Sequence, residues 1–120
     1  MAHYVDGFLI PIKKSKLKAY KKMAQIGCKT WMKHGALSYY ECVADEHMAY
    51  GTGFKKLCKL KPNETVIFAY IVYKSKAHRN QVNKKVHKEF SDMGGEAAFE
   101  MPYDMKRFSS AGFKALVKSK

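Results

Sequence analysis

Arg79 and Asn83 stand four residues apart in a stretch whose apolar positions are Val82, Val86 and Phe90. A separation of four stacks two side chains on one helix face, so both point where the apolar residues point, towards a core or a pocket. Arginine forks onto oxygen pairs and asparagine both donates and accepts, a combination that holds the carboxylate or carbonyl of a small ligand. The same pair also has a structural use. Arg79 can pair with Asp6 or Glu41, and Asn83 can tie down a loop, because buried polar groups need partners in any fold.

Asp6 and Glu41 sit in segments otherwise aromatic or aliphatic. Burial raises a carboxylate's pKa and makes it a candidate general base; the competing reading is an ion pair with Arg79, Arg107 or a lysine, or exposure at a strand edge. His34, following Trp31, is a candidate acid/base or axial haem ligand, or else a cationic residue favoured at a helix C-terminus. Tyr39, Tyr40, Tyr70, Tyr73 and Tyr103, with Trp31 and Phe68, offer an aromatic lining for a flat hydrophobic substrate, or a plain core. The ligand-binding candidates are thus Arg79, Asn83, Tyr39, Tyr70, Trp31 and Arg107, and the catalytic ones Asp6, Glu41 and His34.

Other chemistries lack their signatures. No nucleophile elbow, P-loop or dinucleotide fingerprint occurs. Cys28, Cys42 and Cys58 are odd in number and widely spaced, which speaks for reduced thiols rather than a disulfide framework or a zinc ribbon. No HxxxH or HExxH is present, and His78 and His87 are spaced to opposite sides of a helix, so no metal site is expected.

The elements that must carry these residues follow from periodicity. Residues 3–12 alternate as a strand with both faces largely apolar, and Ser15 offers an N-cap to a helix whose inner stripe is Leu17, Tyr20, Ala24, Gly27/Cys28 and Trp31, stopped by Gly35. Residues 37–46 read as a second strand. Residues 47–63 are ambiguous: Phe54, Leu57 and Cys58 fit a helical turn as well as an irregular strand. Thr65–Tyr73 is the strongest strand. Ser75 caps a second long helix ended by Gly94 and Gly95; the loop GGEAAFEMPYD, in which Asp104 can bond a backbone amide, then leads to a last strand over about 106–117.

The order is β-α-β-β-α-β, an α+β ferredoxin-like antiparallel sheet with two helices on one face. Two helices cover one side only, yet the first and third strands are apolar on both. A second copy of the chain is the simplest cover, giving a homodimer.

Length and composition agree with one domain over residues 1–120: at 120 residues and 47% hydrophobic, the chain can bury about two-thirds of its unfolded surface. No signal peptide or membrane-spanning run is read, so a cytoplasmic protein with no membrane partner is expected. The net charge of +13 invites nucleic acid as a partner, but the lysines are scattered and the only arginines are Arg79 and Arg107, which favours a solvated lysine face.

Five landmarks in order, YVDGF at 4–8, HGAL then ECVAD within 34–45, ETVIFAYIVYKSKAHRNQVN at 64–83, MPYD at 101–104, and Lys106-Arg107 followed by Gly112-Phe113, make the chain resemble the YbaA-like family of small bacterial proteins of unknown function. The resemblance runs nearly end to end. It implies a dimeric α+β barrel, the fold shared with small monooxygenases, haem-degrading enzymes and stress-response barrel proteins, and it carries over no catalytic residues because the family has no established activity. This chain departs from the family's usual pattern in being lysine-rich. The functional expectation is a small aromatic or carbonyl metabolite bound or converted between sheet and helices, a cofactor-independent monooxygenase or isomerase being the enzymatic form. No cofactor is expected, with haem and flavin left open; the alternative is a non-enzymatic binding protein associated with RNA through its lysines.

Overall fold

Alternation along the first strand sets the architecture. In the computed structural model, which describes residues 3–95 and 101–119, β1 (Tyr4–Lys13) turns Tyr4, Asp6, Ile10 and Ile12 into a buried layer. A 3-10 turn at Lys14–Lys16 leads into α1 (Leu17–Lys33), so the helix starts two residues after the expected cap, with Lys16 at the N-cap and no side-chain bond there. Gly35, at φ +111°, takes the left-handed backbone that ends α1. β2 (Ser38–Val43), a single helical turn α2 (Phe54–Leu57) and β3 (Glu64–Tyr73) follow. Ser75 Oγ accepts from the His78 amide at 3.0 Å and starts α3 (Lys76–Asp92) as the sequence predicts. Asp104 accepts from the Lys106 amide at 2.9 Å, shaping the 3-10 turn Met105–Arg107 before β4 (Ser109–Lys114).

The sheet order is β2-β3-β1-β4 with every pairing antiparallel, the ferredoxin-like α+β arrangement. Both outer strands are shorter than periodicity suggests, and the register explains why. Continuing β2 past Val43 would set Glu46 opposite Glu64, like charges directly across a ladder. β4 runs out of partner: Ala115 donates to the His3 carbonyl at 2.9 Å, and Leu116 and Val117 beyond it are exposed. Residues 96–100 of the loop before β4 lie outside the described residues.

Helices α1 and α3 cover one face in two separate packing centres. Ile10, Ile12, Tyr20, Ile67 and Ala69 form one; Ala36, Ile71, Tyr73, Val82 and Val86 form the other; Phe8 packs against both. The result is a slab of 38 × 38 × 21 Å, helices on one broad side and bare sheet on the other. The bare side carries Val5, Leu9, Tyr70 and Val72, with Phe68 45%, Tyr40 53% and Phe113 54% exposed. Tyr40 and Tyr70 stack there with centroids 5.0 Å apart.

Candidate functional site

The inner stripe of α1 contains its own concavity. Tyr20, Ala24, Gly27 and Trp31 recur at helical spacing, so two small residues lie between two large rings on the side facing the sheet. Between the two packing centres this leaves a cavity of about 440 Å³, of the size that holds a small organic ligand. Phe8, Tyr39, Glu41 and Ala69 line it from the sheet, His87 and Phe90 from α3, and Tyr103 and Phe108 from the segment before β4. A Cβ at Gly27 would stand 2.9 Å from the Tyr39 hydroxyl, so the glycine lets that phenol reach under the helix.

Glu41 is the polar centre of this cavity. Its Oε1 accepts from the Tyr20 hydroxyl and its Oε2 from the Tyr39 hydroxyl, both at 2.6 Å, the accepting arrangement of an ionised carboxylate. Burial, reinforced by the bonds to Glu41 and its charge, pushes both phenols far above the ordinary tyrosine range, so they hold their protons and act only as donors. Ring pairs Trp31–Tyr39 at 6.1 Å and Trp31–Phe90 at 5.9 Å form a continuous aromatic wall.

A second cavity of about 360 Å³ shares Phe8, Trp31, Ile71 and His87 with the first and contains Asp6, Arg79 and Asn83. There Arg79 Nη1 meets Asp6 Oδ1 at 2.9 Å, with 21% and 9% of their side chains exposed, and the guanidinium lies 4.9 Å from the centroid of the Tyr4 ring. Arg79 Nε is buried without a hydrogen-bond partner among the described residues. Asn83 Oδ1 accepts from the Trp31 indole N–H at 3.0 Å and the Tyr73 hydroxyl at 3.2 Å, tying α3 to α1 and to the sheet.

The remaining candidates lie elsewhere. His34 caps α1 and meets Glu89 Oε1 at 2.9 Å; hydrogen bonds from Lys33 and His34 hold the Glu89 carboxyl below its usual range. Arg107 meets Glu64 at 2.7 Å and also donates to the carbonyls of Cys58 and Lys59, pinning the α2 turn to β3 and holding the Glu64 carboxyl low. Tyr70 is corrected as a lining residue: β3 directs Ala69, Ile71 and Tyr73 to the helices, which sends Phe68 and Tyr70 to the bare face, where Tyr40 joins them. Sequence reasoning left out Tyr20 and Phe90, although both belong to its helical inner stripes. Among the described residues no group of three or more His, Cys, Asp or Glu could hold a metal ion, and no helix is long and apolar enough to cross a membrane.

Comparison with known proteins gives a consistent picture. A family model described as "Protein of unknown function (DUF1428)" matches residues 3–105. The chain is 34% identical over 120 residues to the uncharacterized protein YbaA of Escherichia coli K12, covering 95% of this chain and 97% of that one, and it matches YbaA of Shigella flexneri equally. The crystal structure of a dimeric ferredoxin-like protein from an uncultured marine organism superposes with a TM-score of 0.63 over 99% of this chain and 100% of the other, at 10% identity.

Proposed function

The chain belongs to the DUF1428 family of proteins of unknown function, and on that premise we propose that it is a homodimeric binding protein for a small, flat, largely apolar molecule held between sheet and helices. The observation that carries this reading is the cavity of about 440 Å³ under α1, walled by Trp31, Tyr39, Phe90 and Tyr103 around the Glu41 carboxylate. Rings on several sides exclude water from an apolar guest, and Glu41 fixes its orientation. Glu41 is also the group that would accept a proton from a bound substrate, since its lone pairs, unlike those of Asp6, are not directed at a cation.

Dimerisation is supported by the bare sheet face, where Phe68, Tyr40 and Phe113 are about half exposed beside Tyr70 and Val72. Such a patch calls for a cover, and the ferredoxin-like structural relative is described as dimeric.

Thermal-shift measurements with indole and 2-phenylethanol test the cavity, compared in the natural chain and in Ala24→Leu, which adds a side chain where α1 is hollow. Both probes raise the midpoint of the natural chain, and Ala24→Leu abolishes the rise while its own midpoint is kept or increased. An equal rise in Ala24→Leu, or none in either protein, overturns the reading.

A further inference from the structure

Charge is distributed in an unexpected way around the cavity. The chain carries a net charge of +13, yet no lysine or arginine is among the described residues lining the cavity, and Glu41 is the one carboxylate there. Elsewhere the covered carboxylates face cations: Asp6 meets Arg79, Glu64 meets Arg107, and Glu89 meets Lys33 and His34. Among the described residues Glu41 instead has two phenols, which hydrogen-bond to its charge without neutralising it. A half-buried carboxylate stabilised by neutral donors keeps its field, and the apolar walls strengthen that field inside the cavity.

The walls suit the same sign. Trp31, Tyr39, Phe90 and Tyr103 present π-faces or edges to the space, and a cation placed over a ring within about 6 Å of its centroid is attracted by the quadrupole. Each Glu41 oxygen has one bond from a phenol and retains acceptor capacity for another donor. Apart from the His87 imidazole, the described lining offers an anion no basic side chain to offset the carboxylate.

Resting on the binding role proposed above, we propose that the ligand is an organic cation: a flat ring bearing a protonated amine, its ammonium on Glu41 and its ring against the wall that Trp31 and Phe90 form. The +13 surface would then reject such ligands at long range and leave recognition to the cavity itself, while salt screens the surface charges more than the covered one.

Three probes of nearly equal shape and different charge decide the matter by titration calorimetry at neutral pH: phenethylamine, 2-phenylethanol and phenylacetate, each with the natural chain and with Glu41→Gln. The amine should bind about tenfold or more tighter than the alcohol, the acid should bind weakest, and Glu41→Gln should remove the amine's advantage while retaining the alcohol. If the alcohol or the acid matches the amine in the natural chain, the cationic ligand class is wrong and the cavity reading stands. If none of the three binds, the cavity reading falls and this inference with it. Should Glu41→Gln fail to fold, the ranking of the three probes on the natural chain decides alone.

Discussion

Raising the pH singles out the three phenols that the fold keeps from ionising. Tyr20, Tyr39 and Tyr73 are all pushed well above the ordinary tyrosine value, first by burial, then by Glu41 for the first two and by Asp6 for Tyr73. The unfolded chain releases these protons near about pH 10 while the folded one retains them, so above that pH the folded state binds more protons and loses stability as pH rises. With three such groups the loss is about 4 kcal/mol per pH unit well above pH 10, a large share of the roughly 5 to 15 kcal/mol a domain has. The assay is urea unfolding followed by circular dichroism at several alkaline pH values, with phenolate absorbance recorded alongside. The phenolate signal of these tyrosines should appear only as the helices melt. Tyr20→Phe should reduce the slope to about 2.7 kcal/mol per pH unit, whatever it does to stability at neutral pH. An unchanged slope in Tyr20→Phe, or complete phenolate formation in a folded chain, would refute the reasoning.

Other perturbations report on the parts around the cavity. Asn83→Ala strands the Trp31 indole N–H and the Tyr73 hydroxyl under cover and should cost about 2 to 4 kcal/mol in chemical denaturation; a loss below 1 kcal/mol, roughly that of a surface change, would show these bonds to be dispensable. The Glu64 carboxyl is lowered by its hydrogen bond from Arg107, so its stabilisation is full above the ordinary glutamate value of about 4.3 and is lost as pH falls through the lowered one; Arg107→Gln should flatten the acid limb of a stability–pH curve, and an identical limb would count against it. Phe68→Lys places a charge on the bare sheet face and should convert a dimer to a folded monomer in analytical ultracentrifugation, whereas an unaffected dimer would place the interface elsewhere.

Periodicity made the fold legible because the strong signals are local. Ser75 marks the start of α3, Gly35 the end of α1, and the spacing of four puts Arg79 and Asn83 on the inner side of their helix. Asp6 was one of two partners the sequence offered Arg79, the other being Glu41, but the choice between them, and the partners of Asn83, were not legible in the same way. The pairing of Asp6 with Arg79 joins residues 73 positions apart, and that of Trp31 with Asn83 joins residues 52 apart, so both depend on how helices settle on the sheet. Tyr70 shows a different limit. A strand apolar on both faces reveals its alternation but not which phase meets the helices, and that phase is set only when β3 pairs with β1 and β2. Glu41 stood out as a carboxylate among apolar neighbours, while Tyr20 was hidden among core positions. The hollow itself was written in the run Tyr20, Ala24, Gly27, Trp31, large residues flanking small ones on one helical face.

Trp31 is the only tryptophan in the chain and lines both cavities, so its indole ¹H–¹⁵N resonance is a single built-in reporter of ligand entry. Titrating 2-phenylethanol into the ¹⁵N-labelled protein should shift that resonance saturably, and Ala24→Leu should abolish the shift. A Trp31 signal that stays fixed at saturating probe, or moves equally in Ala24→Leu, would contradict a ligand site between the sheet and its helices.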